Sequence, residues 1–434
     1  VWPVAARSRG RAGPLRLVNL ALLIGGYGLG QGGVFLAQTW LITRGQLDLV
    51  ADFGVSFYMA TLGIMLVDFG STAVLARETA AKAHLRASDA TGHSIWADYW
   101  AITPARAAMA FVVLLGGAAA AALSEDPFSR AYALFAWPAL VLWAFNATGL
   151  LDGLRLSGMN GLTGALPFIL SAAILAGVAD QPPAVAGAAL GAALSAGYLL
   201  GVIGQVIALR MTGHAPRWQR PSQKIIAHVT YRCIGSLFSL LPGQLYFRAQ
   251  ILLAGLIVGP AGVALLVYAK QVSTGFSQLI GFLRRIEFPN LVGRLRDMSS
   301  LEIKTIFSTQ RVGTSAAAAS SFIVLIAGIA GSIFFDAETS EAAIYVAIFS
   351  PTIFSGAISL MFTQSLIATG MYGTAAKIMV ACTALSILVS TTLLMIPGSG
   401  IEIFAMGDIF LHLLVVISSI LAIRRVNTAR PVQS

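Results

Sequence analysis

Apolar stretches long enough to cross a bilayer follow one another along the whole chain, separated by short polar segments that often carry glycine or proline. About 20 consecutive apolar residues in a helix are enough to cross the hydrocarbon core of a membrane. The pattern therefore predicts twelve membrane-spanning helices. Their expected limits are 17–42, 49–76, 99–123, 130–152, 160–180, 184–210, 231–258, 261–284, 313–335, 342–369, 374–396 and 401–424.

One polar, basic segment with two prolines divides this pattern into halves and leaves six spans on each side. We therefore predict two six-helix lobes. An even number of spans in each lobe favours a pseudo-twofold axis along the membrane normal. The expected boundaries are a basic tail at 1–16, an N-lobe at 17–210, a linker at 211–230, a C-lobe at 231–424 and a second tail at 425–434.

The composition agrees with this architecture. Of the 434 residues, 57% are hydrophobic and 11% are charged, whereas about a quarter of the residues are charged in an ordinary soluble domain. The predicted fold class is therefore an all-α polytopic membrane protein. The two cysteines, Cys233 and Cys382, lie in apolar segments without metal-site spacing, and we expect them to pack as buried free thiols.

The basic residues orient the chain. With the N-terminus inside, cytoplasmic segments hold 23 of the 28 Lys and Arg residues, and the outer loops hold two, Arg44 and Arg130. By the positive-inside rule, both termini are expected in the cytoplasm. The net charge of +10 then follows from topology and from attraction to anionic lipids. It requires no nucleic-acid partner.

Three cations fall inside predicted spans, where charged side chains are costly and usually face a cavity. Arg248 and Lys270 lie in two spans joined by a tight turn at Gly259-Pro260, and Arg106 lies in the third span. Guanidinium groups suit phosphate and carboxylate partners. We predict that these three residues line a water-filled cavity and bind an anionic substrate. The alternative for Arg248 is a structural ion pair, and the alternative for Arg106 is a side chain that reaches towards the interface.

Two carboxylates within spans, Asp68 and Asp408, are candidates for binding a coupling H⁺ or Na⁺. Asp68 could instead pair with a nearby basic residue, and Asp408 could be the partner of one of the three cations. Tyr246 and Gln250 flank Arg248 in the seventh span, and Gln38 ends the first span. These three are candidates for polar positions in the cavity.

Small-residue patterns recur in the first half of the chain. The GxGxxG pattern at 28–33 lies inside a span and follows no strand, so it does not indicate a dinucleotide site. GxxxG pairs instead predict close packing between helices. They are Gly26 and Gly30, Gly187 and Gly191, and Gly197 and Gly201.

Two stretches resemble a known family. Leu66 to Glu78, LVDFGSTAVLARE, resembles the end of the second helix of Wzx-type polysaccharide (O-antigen) flippases. The segment from Arg248 to Gly259, with the motifs Tyr268-Ala269-Lys270 and Arg285-Ile286-Glu287-Phe288-Pro289, is similar to their seventh and eighth helices. These flippases belong to the multidrug/oligosaccharidyl-lipid/polysaccharide (MOP) exporter superfamily. Gln250 stands near the position where many members carry an acidic residue.

The resemblance implies a transporter, not an enzyme, that flips polyprenyl-pyrophosphate-linked oligosaccharide across the bacterial inner (cytoplasmic) membrane. It would act by alternating access through a cationic cavity in the assembly of surface polysaccharide such as the O-antigen of lipopolysaccharide. An H⁺ or Na⁺ gradient would drive it, with no cofactor. The implied partners are the lipid-linked oligosaccharide, membrane lipids, and the polysaccharide polymerase or chain-length machinery.

Three alternatives remain at this stage. A multidrug exporter of the same superfamily would need acidic residues for cationic drugs, whereas the mid-span charges here are mainly basic. A lipid II flippase would carry two additional helices. A membrane-embedded polymerase or glycosyltransferase would need a large outer loop or a cluster of carboxylates at the interface, and the sequence has neither.

Overall fold

The structure is a computed structural model that describes residues 12–44, 46–86, 95–296, 302–334 and 337–429. These residues form fifteen α-helices and no strand. The helices are α1 (Ala12–Thr43), α2 (Leu47–Asp68), α3 (Ser71–Arg86), α4 (Ile95–Leu123), α5 (Pro127–Trp143), α6 (Thr148–Gly153), α7 (Ser157–Gly177), α8 (Pro183–Met211), α9 (Gln223–Ile257), α10 (Pro260–Arg296), α11 (Ile303–Thr309), α12 (Arg311–Phe334), α13 (Ala337–Ala368), α14 (Tyr372–Leu394) and α15 (Glu402–Ala429).

The helices confirm an all-α polytopic membrane protein. Ten of those in the described ranges are long and apolar enough to cross a membrane, by length and composition. The two remaining predicted spans correspond to α5, which has 17 residues, and to α10, which is long but carries charged residues towards its C-terminal end. All twelve predicted spans therefore coincide with helices.

The chain divides into two compact units, Val1–Ile234 and Gly235–Ser434. The division falls inside α9, because residues 223–230, expected in the linker, already form the first turns of that helix. No glycine or proline lies between Pro221 and Gly235, and Val229 is buried. Residues 1–11 of the predicted N-terminal tail lie outside the described residues. Residues 12–16 of that tail belong to α1. The C-terminal tail likewise continues α15 to residue 429.

The same order of packing recurs in the two units. In the first unit α5 packs against α2, α4 and α8, and α7 packs against α1 and α8. In the second unit α13 packs against α10, α12 and α15, and α14 packs against α15. Four helix pairs of the first unit (α2–α5, α4–α5, α5–α8 and α7–α8) therefore recur in the second as α10–α13, α12–α13, α13–α15 and α14–α15, as expected for a chain built from two structural repeats.

Two predicted spans of the first unit are interrupted. The span expected at 49–76 breaks at Phe69 and Gly70, whose φ angles are +57° and +68°. The span expected at 130–152 breaks between α5 and α6, at residues 144–147. Backbone that leaves the helix inside a membrane protein needs other hydrogen-bond partners. Asp68 Oδ2 accepts from Thr72 N at 3.2 Å, and Gln205 Oε1 accepts from Ala147 N at 2.7 Å.

Helix α10 ends at Arg296, twelve residues beyond the end of the span predicted at 261–284. Arg284 is fully buried within the helix. Its guanidinium donates to Gln310 Oε1 at 2.6 Å. Leu291, Val292 and Leu295 continue the buried face beyond the apolar stretch, and this face extends the helix to Arg296.

The close packing predicted from the GxxxG pairs is confirmed. A Cβ atom at Gly26 would lie 2.6 Å from the Gly161 carbonyl oxygen, and one at Gly187 would lie 2.3 Å from the Phe128 carbonyl oxygen. A Cβ atom at Gly197 would meet the Cα of Pro167 at 2.3 Å. The absent side chains therefore let α1 approach α7, and let α8 approach both α5 and α7.

Candidate functional site

A buried ion pair lies at the centre of the second unit. Lys270 on α10 and Asp408 on α15 are 8% and 6% exposed. The Lys270 Nζ atom lies 2.6 Å from Asp408 Oδ2 and 2.9 Å from Oδ1. Each charge has been removed from water, so each depends on the other for compensation.

Polar groups from two further helices surround this pair. On α9, Gln250 Nε2 donates to Asp408 Oδ1 at 2.8 Å. One turn earlier on the same face, the Tyr246 hydroxyl lies 2.8 Å from Ser386 Oγ of α14. Ser386 in turn donates to the Gly407 carbonyl at 2.8 Å. We call Tyr246, Gln250, Lys270, Ser386 and Asp408 the Lys270 cluster.

Aromatic rings enclose the ammonium group on its other sides. The Lys270 Nζ atom lies 5.7 Å from the ring centre of Tyr246, 5.6 Å from that of Phe247 and 5.8 Å from that of Phe349. At these distances the ring faces attract a cation. The cluster therefore holds a positive charge within apolar surroundings, neutralised by one carboxylate.

His412 adds a titratable group beside the cluster. It lies one turn after Asp408 on α15, and its Nδ1 atom is 2.9 Å from Ser355 Oγ on α13. Asp408 and Lys270 are the charged groups that act on its ring. His412 therefore lies within electrostatic reach of the ion pair.

The first unit contains a second buried cation, Arg106 of α4, which is fully enclosed. Its Nε donates to Ser71 Oγ at 2.7 Å, and its NH1 donates to the Asn146 carbonyl at 2.7 Å. Asp68 Oδ1 lies 3.5 Å from NH2. Ser71 and Asp68 flank the break between α2 and α3, whereas Asn146 lies in the break before α6. Arg106 therefore connects the two breaks.

Asp68 also caps α3. Thr72 donates to it twice, from its backbone nitrogen to Oδ2 at 3.2 Å and from its hydroxyl to Oδ1 at 2.7 Å. A carboxylate held by these donors and by a guanidinium is well suited to stabilising the start of a helix. In this conformation Arg106 has no surface to offer a substrate. Its predicted role in binding substrate stays a prediction that requires the breaks to open.

Two other predicted site residues are Arg248 and Gln38. Arg248 is two residues from both Tyr246 and Gln250, and residues so spaced do not face one another on a helix. Its side chain is partly exposed. Gln38, in the first unit, is also partly buried on α1. Their proposed contacts with a substrate stay predictions.

Sequence reasoning missed Ser386 and Gly407, which extend the cluster to α14 and the start of α15. It also missed the enclosed Arg284. In sequence, Ser386 is one of several hydroxyl residues in its span, and its separation from Ser390 by one turn is the available signal.

For a metal, no three His, Cys, Asp or Glu side chains in the described ranges are close enough to share an ion. Cys233 and Cys382 are buried free thiols, as predicted.

The comparison with known proteins rests on structure alone. No protein-family model matches the chain, and no curated protein sequence matches it. Many solved structures do match. One is a multidrug resistance MATE family transporter of the MOP superfamily in its outward-facing conformation, with a TM-score of 0.74, 13% identity and 98% of each chain covered.

Two further structures agree. A MATE protein in the bent conformation gives a TM-score of 0.75 at 12% identity, covering 97% of this chain and 96% of that one. A MOP superfamily transporter from Pyrococcus furiosus gives 0.66 at 13% identity, covering 98% and 99%. Identity this low shows the fold alone. The chain therefore has the twelve-helix membrane fold of the MATE transporters of the MOP superfamily.

Proposed function

We propose that the chain is a transporter that flips polyprenyl-pyrophosphate-linked oligosaccharide across the bacterial cytoplasmic membrane, with both termini in the cytoplasm. The proposal rests on the burial of the Lys270 ammonium group. It is a buried ammonium group within the membrane-spanning part of the second unit, neutralised by Asp408 and ringed by aromatic side chains. Such a group binds an anion strongly once its carboxylate partner is displaced.

The sign of the buried charges supports an anionic substrate. Lys270 and Arg106 each provide a cation, and both nearby carboxylates are engaged by those cations. A transporter of cationic drugs would instead need a surplus of carboxylates. The Pyrococcus furiosus transporter with this fold has a binding pocket of reversed polarity, and this reversal suggests a different function for that protein. The fold is thus compatible with pockets of either polarity.

The cluster suggests how substrate and coupling ion are linked. A pyrophosphate group that approaches Lys270 competes with Asp408 for the ammonium group. Asp408 without its partner is a buried, uncompensated carboxylate, which favours uptake of H⁺ or Na⁺. Anion binding at Lys270 and cation binding at Asp408 therefore assist each other, by the reciprocity of coupled equilibria.

The remaining parts of the proposal follow from the substrate's chemistry. The oligosaccharide and pyrophosphate require a polar passage, and the prenyl chain can stay in the bilayer while the two repeats alternate. The partly exposed Arg248 would meet the substrate before Lys270 does. A polysaccharide polymerase or chain-length machinery would act on the product, since the chain itself transports and is not an enzyme.

Transbilayer movement of a fluorescent polyprenyl-pyrophosphate oligosaccharide in proteoliposomes tests the proposal. We expect the unaltered protein to move it and Lys270→Gln to move it at least about tenfold more slowly, because a charge-assisted hydrogen bond contributes about 1.5–3 kcal/mol. The matched control is Lys224→Gln, which removes an exposed lysine at the start of α9 and should leave the rate unchanged. Arg248→Ala in the same assay decides whether that residue also binds the substrate.

A cation exporter is the second candidate, because one of the matching structures is a multidrug resistance transporter. It predicts uptake of organic cations and no movement of the lipid-linked oligosaccharide under any H⁺ or Na⁺ gradient. That pair of results would contradict the flippase. Equal rates for the unaltered protein and Lys270→Gln would keep the flippase and remove Lys270 from its binding site.

A further inference from the structure

A cleft in the first unit lies far along the chain from the Lys270 cluster and is formed by α2, α4 and α5. Its volume is about 300 Å³. Val55 and Met59 on its α2 wall are 62% and 61% exposed, so the cleft opens at the surface of the chain. An engineered apolar cavity of about 150 Å³ holds one benzene molecule. This cleft therefore has room for roughly twice as many carbon atoms.

Small residues create the space. On α4, Gly117, Ala120 and Ala121 line the cleft, opposite Ala133 and Ala136 of α5. One end is closed, because a Cβ atom at Gly63 would already meet Leu140 at 3.0 Å and Val113 at 3.1 Å. Along α5 the cleft extends from Ser129 to Leu140, about 16 Å at 1.5 Å per residue. A long and narrow apolar space of this size fits a single hydrocarbon chain.

The open end of the cleft carries hydroxyl groups. Ser56 Oγ and Ser129 Oγ lie 3.3 Å apart, and Ser124 also lines the cleft. Tyr132 also lines the cleft. The serine hydroxyls can donate hydrogen bonds to an acceptor that lies next to an apolar chain.

The charges around this end are mainly acidic. Asp126 caps α5 by accepting from Phe128 N and Ser129 N. Asp52 is close enough to Asp126 and Asp48 for their charges to act on it. The basic residues nearest in sequence to this end of the cleft are Arg130, which follows Ser129, and Arg44, which precedes α2. Carboxylates repel an anionic head group and attract an ammonium group.

We propose that the cleft binds one acyl chain of a phospholipid whose head group carries an ammonium ion. The acyl chain fills the apolar channel towards Leu140, the ester carbonyl accepts hydrogen bonds from the serine hydroxyls, and the ammonium group lies near Asp52 and Asp126. The inference does not depend on what the protein transports. It differs from general lipid contact in predicting one retained molecule with a preferred head group.

The test compares two neighbouring glycines of α4. Gly117 lines the cleft, and a Cβ atom there would lie 3.4 Å from Trp137 Nε1. Gly116 does not line it, and a Cβ atom there meets nothing within 4 Å. Gly117→Leu should therefore fill the cleft, whereas Gly116→Leu makes the same chemical change on the same helix without filling it.

Native mass spectrometry after detergent extraction, with phosphatidylethanolamine or phosphatidylglycerol added, provides the readout. We expect one phosphatidylethanolamine per chain on the unaltered protein and on Gly116→Leu, and about a tenfold lower occupancy on Gly117→Leu. Thermal unfolding of both variants in detergent shows that they are folded.

Three results would overturn the proposal. The first is equal occupancy of the two leucine variants. The second is phosphatidylglycerol bound as well as phosphatidylethanolamine. The third is displacement of the phospholipid by a polyprenyl pyrophosphate, which would make the cleft part of a substrate path instead. The lipid proposal allows Gly117→Leu to transport at the normal rate. A failure of the lipid proposal and a failure of the flippase assignment are therefore separate results.

Discussion

Lys270 and Asp408 are separated by 138 positions in the sequence, yet the lysine Nζ lies within 2.9 Å of both carboxylate oxygens. The pair joins α10 to α15. It also receives Gln250 from α9, so three helices of the second unit meet at one neutralised charge. This arrangement has consequences for stability and for binding that can be measured separately.

The first prediction concerns stability. Lys270→Gln or Asp408→Asn alone leaves a buried charge without its partner, and each should lower the free energy of unfolding by about 3–5 kcal/mol. The double variant removes both charges and should recover most of that loss. Thermal unfolding of the four proteins in the same detergent measures the interaction as a double-mutant cycle. Losses that simply add in the double variant would show that the two groups do not depend on each other.

The second prediction concerns anion binding. Asp408→Asn has no carboxylate to compete for Lys270, so it should bind a polyprenyl-pyrophosphate oligosaccharide more tightly than the unaltered protein does. Titration calorimetry of the two proteins at one pH measures the difference in affinity.

The two proteins are compared at the same pH, so that the charge of the pyrophosphate is the same in both measurements. The difference in affinity between the two proteins therefore reports the ion pair. Equal affinities would mean that Asp408 and the substrate do not compete for Lys270.

The spans were predictable because their signal is strong and local. Each is a long apolar stretch, and the observed helices begin and end within a few residues of most expected limits. The breaks were not predicted, because they depend on distant partners. Phe69 adopts a left-handed conformation that glycine favours, and Asn146 and Ala147 leave the helix where Arg106 and Gln205 satisfy them.

The site was predictable in its residue types but not in its grouping. Tyr246, Gln250, Lys270 and Asp408 were all identified as candidates, and they lie together. Arg248 was grouped with Lys270 because both are cations in neighbouring spans. Its two-residue offset from Tyr246 and Gln250 instead places it on another face of α9. In helices that are apolar on every side, the sequence does not indicate which face turns inward, so the packing of neighbouring helices decides the grouping.

The third prediction concerns Arg106. Arg106→Met removes the donors to Ser71 and to the Asn146 carbonyl and should cost about 3 kcal/mol of stability. Because Arg106 connects both helix breaks, amide hydrogen exchange should rise around Phe69–Gly70 and also at residues 144–147. The control is Arg210→Met, which removes an exposed arginine at the end of α8 and should change stability by less than about 0.5 kcal/mol. Faster exchange at one break alone would contradict the connecting role.

The last prediction concerns the contact between α1 and α7. Gly26→Ala places a methyl group 2.6 Å from the Gly161 carbonyl oxygen. Because that oxygen is backbone, the helices must separate, at a cost of about 1–3 kcal/mol. Gly32→Ala, two turns along the same helix, meets nothing within 4 Å and should be neutral or stabilising by up to about 1 kcal/mol, from helix propensity. Thermal unfolding of the two variants measures the difference. Equal stability would mean that α1 and α7 separate at little cost, and that the small residues of α1 serve movement of this helix more than its packing.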